Sequence, residues 1–520
     1  MSQDESGRDR RREVMPTGPI SEAPNERQRH RVGLPTANDQ PGHIIIEMNL
    51  RHEKGLPGAK QRFKEIYSQQ IGGWSDDDPL LVANTYYRCL ISINQVIQLV
   101  HLDEESEPRQ RCIYRVWPDF PVRALIDRSV STIKADAARR SFEATGEGIV
   151  WPVIDSGIDA QHPHFQTHDT LGGEVAGLHW DFTRPGDPMA TVTDEERNIH
   201  ISSALVDGYG HGTHVAGIIA GGLVGRGAAD GPRTSWLVAA NASVSSNFDL
   251  ERIEERPNVP AERLAGVAPR CKLISLKVLD DSGGTRHTDV RSTDVIRALQ
   301  YVREGLNGNG KLQVVHGVNL SLGYEFDATW FACGQSPICV EVDRLVRSGV
   351  VVVVAAGNTG YGELQSSEGP TNTSLQLTIN DPGNAALAIT VGATHRDSPH
   401  TYGVSFFSSR GPTGDGRLKP DLVAPGERIT SCATGQKRDL IHRHLQAPED
   451  AALYIDDSGT SMAAPHVSGA AASFLSVRRE FVGRPEEIKR IFLDTATSLG
   501  RERYFQGQGL VDLMRAIQAV

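Results

Sequence analysis

The sequence predicts an α/β protein built on a mostly parallel β-sheet with helices on both faces. Short apolar runs alternate with longer helical patterns along residues 118–520, and this alternation is typical of βαβ units. The run Val350–Ala356 is continuously apolar, as expected for a central strand covered on both sides. We expect strands at 149–154, 272–278, 312–318, 350–355 and 387–391, and helices at 211–221, 288–304, 339–348 and 461–481.

Two regions precede this part of the chain. Residues 1–40 are rich in Arg, Glu, Pro, Gln and Asn and contain too little apolar material to fold alone, so we expect a disordered tail. Residues 41–117 predict a small α+β domain, with a strand at 44–50, a helix at 58–69 and further strands at 86–102 and 111–117.

Length and composition exclude several classes of protein. The 520 residues allow two or more domains, and 52 glycines suit a loop-rich enzyme. A net charge of −11 argues against a nucleic-acid partner. No apolar run approaches the roughly 20 residues that span a bilayer, so we expect no membrane partner. Because residues 1–40 contain no apolar segment of the kind found in signal peptides, we expect a cytoplasmic protein.

The segment Gly459–His466 (GTSMAAPH) contains a candidate nucleophile. Ser461 stands where an Ala-rich helix pattern begins, and backbone N–H groups at a helix N-terminus can stabilise negative charge. The alternative is that Ser461 only caps this helix. A serine hydroxyl needs a base that takes its proton and a third group that orients the base. The motif therefore predicts a histidine and a carboxylate elsewhere in the chain.

Both groups occur upstream, in the order Asp, His, Ser. Asp155 follows the buried strand pattern 149–154, and His211 opens the small-residue segment His211–Gly217 (HGTHVAG). Taken singly, Asp155 would more simply be a turn or helix-cap residue. The ordered set instead indicates Asp155 as the orienting acid, His211 as the base and Ser461 as the nucleophile.

With these motifs, residues from about 146 to the C-terminus resemble the subtilisin-like serine protease (subtilase) family. Weaker matches occur in the family's order at 266–269 (GVAP), 276–279 (LKVL), 319–323 (NLSLG), 355–358 (AAGN), 407–412 (FSSRGP) and 419–426 (KPDLVAPG). The resemblance implies a subtilisin-like three-layer domain and a serine endopeptidase that hydrolyses protein or peptide substrates through an acyl-enzyme.

The resemblance also implies residues of the substrate cleft. Asn358 ends the strand pattern 350–355, and its side-chain amide can donate to the oxyanion of a tetrahedral intermediate, with the Ser461 N–H as second donor. Ser321, Leu322 and Gly323 would line the cleft and pair with an extended peptide. Ala356 and Gly357 would form a wall of the pocket for the side chain that precedes the cut bond. Ordinary turns and strand ends are the alternatives for these segments.

Two functional alternatives remain open at this point. The acyl-enzyme of a subtilase-like macrocyclase is intercepted by an amine, which would make the protein an acyl transferase. A non-enzymatic binding module with a decayed site is the second alternative, and the intact Asp155, His211 and Ser461 argue against it. The segments 167–205, 225–262, 324–338, 359–380 and 434–453 exceed what a minimal subtilase needs, and such loops commonly carry specificity. A bulk degradative role and a narrow processing role are both open, and these long loops favour processing.

No cofactor is required by this chemistry, and no metal site is predicted. The histidines His162, His164 and His214, and the pair His442 and His444, lack the spacing of a zinc motif. His164 stands where secreted relatives often have an acidic calcium ligand, so the usual strong calcium site is not expected, while weaker oxygen-ligand sites stay open.

The small α+β domain and the cysteines leave alternatives open. By position, residues 41–117 resemble the family's propeptide, which blocks the cleft as an intramolecular inhibitor, and an accessory binding domain is the alternative. Six cysteines in a reducing compartment favour free thiols, although the spacing of Cys333 and Cys339 also suits a small disulfide loop.

Overall fold

The computed structural model describes residues 35, 37–75, 78–82, 85–118, 129–223, 235–241, 253–257, 259–279, 291–326, 332–366 and 369–520. The tail expected at residues 1–40 lies almost wholly outside this set. The chain divides into two compact units, one up to residue 124 and one from residue 125 onward.

In its described residues, the first unit is a four-stranded antiparallel sheet with two helices, in the strand order β2-β3-β1-β4. Alternate residues of its first strand, Ile44, Ile46 and Met48, are buried in one core with Phe63 and Ile66 of its first helix. The elements are β1 (Pro41–Met48), α1 (Gly55–Gln70), β2 (Leu80–Val82), β3 (Tyr86–Ser92), α2 (Ile93–Glu104) and β4 (Ile113–Pro118).

The strand expected at 86–102 is wrong beyond Ser92, where the chain turns into α2. Ser92 Oγ accepts a hydrogen bond from the Gln95 N–H at 3.3 Å, and Gln95 Oε1 accepts one from the Ser92 N–H at 2.9 Å. This reciprocal cap satisfies two backbone donors and fixes a helix start. Val96 and Leu99 then fall on the buried face, as the helical period requires.

The second unit contains the remaining strands and most of the helices. Its strands are β5 (Val150–Asp155), β6 (Trp180–Asp181), β7 (Trp236–Asn241), β8 (Ile253–Glu255), β9 (Lys272–Lys277), β10 (Gly317–Leu320), β11 (Val351–Ala355), β12 (Tyr361–Ser366), β13 (Gly369–Ser374), β14 (Ile389–His395), β15 (Leu422–Glu427), β16 (Ile429–Cys432) and β17 (Ala452–Asp457). Its helices are α3 (Ser129–Thr132), α4 (Ala135–Phe142), α5 (Pro163–Gln166), α6 (Asp194–Ala204), α7 (His211–Ile219), α8 (Ser292–Gln300), α9 (Pro337–Arg347), α10 (Pro399–Tyr402), α11 (Gly435–His444), α12 (Thr460–Val477), α13 (Pro485–Thr495), α14 (Arg503–Gln506) and α15 (Leu513–Gln518).

A seven-stranded parallel sheet in the order β15-β14-β11-β10-β5-β9-β6 forms the centre of this unit. Val353 and Ala355 of β11 belong to one core, which includes buried residues of α7 and α12. Val352 and Val354 belong to a second core, which includes residues of α8 and α9. A central strand buried on both faces carries apolar side chains at every position, and the predicted α/β class with helices on both faces is confirmed.

The structure departs from the predicted boundaries in two ways. The strand expected at 312–318 lies at Gly317–Leu320, and the strand expected at 387–391 lies at Ile389–His395, because an apolar run does not reveal where hydrogen-bonded pairing begins. Segments expected as loops also contain regular elements. Strands β7 and β8 join β16 and β17 in a second sheet of order β16-β17-β7-β8, and β12 pairs with β13 as a hairpin.

The six cysteines are all buried free thiols, so Cys333 and Cys339 are not joined. In the part of the chain that the structure describes, no helix is long and apolar enough to cross a membrane.

Several histidines of the second unit are buried as neutral rings that donate to backbone carbonyls. His164 Nε2 bonds to Ala220 O at 3.0 Å, and its Nδ1 accepts from the Tyr454 hydroxyl at 3.0 Å. His214 Nε2 bonds to Ile455 O at 3.1 Å. Burial lowers the pKa of both rings to about 3. It lowers the pKa of His179 and of His466 to about 4.

These rings predict a loss of stability in mild acid. Below the ordinary histidine pKa of about 6.5 they take up protons in the unfolded chain but not in the folded one, so the free energy of unfolding falls as the pH falls. Each ring should cost roughly 1 kcal/mol between pH 7.5 and 5.5. Urea unfolding at the two pH values measures the difference. In His466→Asn, which keeps a donor near Nδ1, the difference in unfolding free energy between the two pH values should be smaller by the contribution of one ring. His442→Asn, on the exposed face of α11, should leave this difference unchanged. Equal stability at both pH values would contradict the assignment.

Candidate active site

Three neighbouring strands of the parallel sheet deliver the predicted site residues to one edge. Asp155 is the last residue of β5, Ser321 follows β10, and Asn358 follows β11. Leu320 is paired in register with Ile154, so Ser321 lies alongside Asp155. Carboxyl ends of parallel strands share one edge of the sheet, where open α/β folds place their sites.

His211 is the first residue of α7 and contacts Asp155 directly. Its Nδ1 lies 2.7 Å from Asp155 Oδ1. The helix approaches the end of β5 so closely that a Cβ atom on Gly212 would lie 2.2 Å from the Gly157 carbonyl oxygen. Only glycine fits there, which accounts for the small residue beside the candidate base.

The environment of His211 favours its protonated form. Burial disfavours a charged ring, but the nearby Asp155 carboxylate and the hydrogen bond to it outweigh burial, and the pKa of His211 is raised above its ordinary value. Asp155 is fully buried and the His211 side chain is 18% exposed. The ring is therefore bonded through Nδ1 to a buried carboxylate, and a small part of it is exposed to solvent.

Ser461 lies in the first turn of α12 and is bonded reciprocally to Ser321. Its Oγ donates to the Ser321 carbonyl at 3.0 Å, and Ser321 Oγ donates to the Ser461 carbonyl at 2.9 Å. The expected partner of the Ser461 hydroxyl was His211, and in this structure the Ser321 carbonyl takes that place. In the first turn of a helix the Ser461 N–H has no intrahelical partner.

Asn358 is held at the start of the same helix by its side-chain oxygen. Oδ1 accepts from the Thr460 N–H at 2.8 Å and from Thr460 Oγ1 at 3.0 Å. The Thr460 hydroxyl in turn accepts from the Gly357 N–H at 3.1 Å. With Oδ1 engaged, the Asn358 Nδ2 group is the end that is left to donate, close to Gly459. The amide is thus oriented as a donor beside Ser461.

The residues expected to line the cleft follow two neighbouring strands, three of them after β10 and two after β11. Ser321 is buried and bonded to Ser461, Leu322 is half-buried against the second core, and Gly323 is exposed. Ala356 is buried and lies beside β14 in the sheet, with its N–H donating to Val391 O at 3.0 Å. Gly357 has a φ of 108°, and a Cβ atom there would lie 2.6 Å from Asn380 Cγ, so its backbone conformation and its surroundings both require glycine.

The structure adds Asp207, a residue that the sequence argument missed. Its carboxylate is buried and accepts from Ser156 Oγ at 2.9 Å, Gly210 N at 2.7 Å, Thr213 N at 2.8 Å and Thr213 Oγ1 at 2.6 Å. One side chain thereby joins the turn after Asp155 to the first turn of the His211 helix. The available signal in the sequence was that Asp207 lies shortly before His211, where a helix begins and acidic side chains often accept from backbone N–H groups.

The other histidines of the predicted set lie outside this site. His162, His164 and His214 are buried and bonded to backbone carbonyls, and His442 and His444 are exposed. Among the residues that the structure describes, no group of three or more His, Cys, Asp or Glu side chains could hold a metal ion.

Comparison with known proteins extends over most of the second unit. A family model described as the subtilase family matches residues 146–510. Pyrolysin of Pyrococcus furiosus is 31% identical over an alignment of 342 residues, which covers 60% of this chain and 21% of pyrolysin. Serine protease AprX of Bacillus subtilis is 28% identical, with 73% of this chain and 68% of AprX covered. Subtilisin E of the same organism is 28% identical, with 75% of this chain and 70% of subtilisin E covered.

The Asp207 contacts predict that this carboxylate is needed for stability. Asp207→Ala would leave several buried donors without an acceptor, and we expect a loss of about 3 kcal/mol or more in the free energy of unfolding. Urea unfolding followed by tryptophan fluorescence measures it. Asp187→Ala is the matched control, because Asp187 is exposed and its carboxylate accepts from the Met189 N–H in a surface turn. A loss for Asp207→Ala no larger than that of the control would contradict the role of this residue.

Proposed function

Because this chain belongs to the subtilase family and is a serine-type endopeptidase, we propose that Asp155, His211 and Ser461 are its catalytic triad. The observation that carries the proposal is the 2.7 Å contact between His211 Nδ1 and a buried Asp155 carboxylate. It fixes the tautomer in which Nδ1 carries the proton, so that Nε2 is free to accept one.

In the proposed reaction His211 removes the proton of Ser461 as the hydroxyl attacks a peptide carbonyl. The Ser461 hydroxyl first exchanges the Ser321 carbonyl for His211 Nε2 by rotation about its Cα–Cβ bond. Asp155 stabilises the imidazolium that forms, and the same ring then gives the proton to the leaving amine. Water hydrolyses the acyl-enzyme by the reverse sequence of proton transfers.

Asn358 and the Ser461 N–H are proposed to stabilise the oxyanion. The support is the orientation of the Asn358 amide, whose oxygen is engaged by Thr460 and whose nitrogen is left to donate. A donor held in place before the reaction needs no reorganisation when charge develops on the carbonyl oxygen.

The substrate is proposed to bind as an extended peptide along Ser321, Leu322 and Gly323, with Ala356 and Gly357 beside the residue that precedes the cut bond. The conformation that Gly357 requires supports a narrow wall there. We further propose a processing protease with few substrates, since regular elements such as α6, α11 and the β12–β13 hairpin occupy the extra segments. Segments that connect the elements of a rigid scaffold commonly carry specificity.

The first unit is proposed to act as an intramolecular inhibitor that is removed on maturation. Its own core of β1, β3, α1 and α2 residues supports a domain that folds as a separate body. An accessory domain that stays attached is the alternative.

Two further expectations complete the proposal. The absence of the family's usual strong calcium site is supported by the neutral His164 ring, which bonds to Ala220 O and Tyr454 at the position of the acidic ligand. An unfolding midpoint lowered strongly by EDTA would argue against it. A reducing, cytoplasmic setting is supported by six buried free thiols, and cell fractionation tests it.

The triad predicts the effect of two substitutions on peptide hydrolysis. Ser461→Ala should lower kcat by on the order of 10⁶, the loss known from subtilisin itself, and should abolish labelling by a fluorophosphonate probe. Asn358→Ala should lower kcat by about 10² to 10³ with little change in KM, again the magnitude known from subtilisin. Asn372→Ala on the exposed strand β13 is the matched control. Hydrolysis by Ser461→Ala above background would exclude this nucleophile.

The inhibitor role predicts self-cleavage. Purified wild-type protein should lose its first unit and begin close to residue 125, where the second unit starts, whereas Ser461→Ala should keep its full length, because the cut depends on the nucleophile. Intact mass and N-terminal sequencing measure this. A wild-type protein that stays intact and hydrolyses peptides at full rate would show that the unit is an accessory domain.

A further inference from the structure

Helix α11 packs directly on the turn that leads into His211. The Gln436 N–H donates to the Gly208 carbonyl at 3.0 Å. A Cβ atom on Gly435 would lie 2.1 Å from the same carbonyl oxygen, and one on Gly210 would lie 2.3 Å from the Thr434 carbonyl oxygen. The two backbones are therefore in direct contact one residue before the proposed base.

Lys437 in the first turn of α11 extends this contact to the segment that leads into Ser461. A Cβ atom on Gly210 would lie 3.4 Å from Lys437 Cγ, so the lysine stem covers that glycine. The ammonium group forms an ion pair with Asp457, the last residue of β17. Asp457 Oδ1 also accepts from the Ser458 N–H at 2.7 Å, at the turn before the nucleophile. The Lys437–Asp457 pair thus connects the turn that leads into His211 with the turn that leads into Ser461.

Other titratable groups around His211 are engaged in fixed contacts. Asp155 is bonded to the ring, and Asp207 is saturated by four donors. The Tyr209 ring lies 6.1 Å from the His211 ring. His214 on the same helix is buried and donates to a carbonyl. Lys437 and Asp457 differ from these groups because their side chains are 20% and 32% exposed and their charges oppose each other.

We propose that Lys437 is a positioning residue for the base: its charge cancels that of Asp457 beside His211 and its stem fixes the turn before the ring. The proposal rests on the proposed role of His211 in proteolysis. Lys437 disfavours the imidazolium, and Asp457 favours it. With both present their effects on the pKa of His211 oppose each other, so each single substitution exposes the charge of the other residue.

The two residues should therefore shift the acid limb of kcat/KM in opposite directions. Lys437→Met keeps the aliphatic stem but leaves Asp457 unpaired, so deprotonation of His211 requires a higher pH. Asp457→Asn keeps an oxygen for the Ser458 N–H but leaves the lysine charge, so deprotonation requires a lower pH. We expect shifts of about 0.3 to 0.5 pH unit at low salt, and smaller shifts in 1 M salt.

The experiment measures kcat/KM of the full chain from pH 5 to 9 for a peptide substrate. Lys437→Arg keeps the positive charge, and the double variant Lys437→Met with Asp457→Asn removes both charges. Both variants should therefore show the acid limb of the wild-type protein. Arg443→Met removes an exposed charge from the last turn of the same helix and should leave the limb unchanged. Shifts in the same direction in both single variants, or a uniform loss of kcat/KM without a shift, would overturn the proposal.

A second readout separates this proposal from the proposed function. The ¹⁵N signals of the His211 ring, identified by their loss in His211→Gln, report its pKa without any substrate. If the wild-type protein neither hydrolyses peptides nor reacts with a fluorophosphonate, the proposed function fails. If the protein is active and the His211 signals titrate identically in all variants, only the role of Lys437 fails.

Discussion

A carboxylate without exposure to water must be compensated by its neighbours, and the site is arranged around that requirement. Asp155 is taken into the interior by β5, a strand that is buried along its whole length. A buried charge is costly unless it is paired or hydrogen-bonded. His211 and the Ser156 N–H both bond to its Oδ1. The position of His211, the proposed base, thus follows from the burial of Asp155.

Close backbone approach is the second constraint on the site. Helix α7 reaches Asp155 because Gly212 presents no side chain to the Gly157 carbonyl, and α11 reaches the preceding turn because Gly435 presents none to the Gly208 carbonyl. Asp207 then connects these turns through hydrogen bonds. Rigid contacts of this kind would hold the proposed catalytic groups within the small tolerances that catalysis requires.

The sequence predicts the parts of this arrangement that depend on local chemistry. The apolar run at 350–355 predicted the central strand. The motifs predicted Asp155, His211 and Ser461, which lie at the end of β5 and in the first turns of α7 and α12. It did not predict that β7 pairs with β17, because pairing between distant segments leaves no periodic pattern in either. It likewise missed Asp207 and Lys437. Each is an ordinary polar residue in a turn or first helical turn, and its role arises only from tertiary contacts. The start of α2 was missed although Ser92 and Gln95 carry a readable cap.

The second sheet limits how far this enzyme can be reduced in size. Strand β7 lies in the extra segment 225–262 and pairs in parallel with β17, from Ala452 opposite Trp236 to Ile455 opposite Ala239. Strand β17 runs into the turn before Ser461. Trimming the segment to make a minimal enzyme would give β17 a free edge, with unpaired N–H and C=O groups that invite association with another chain. Strand β7 therefore covers the edge of β17, and we expect shortened forms of the enzyme to aggregate more readily.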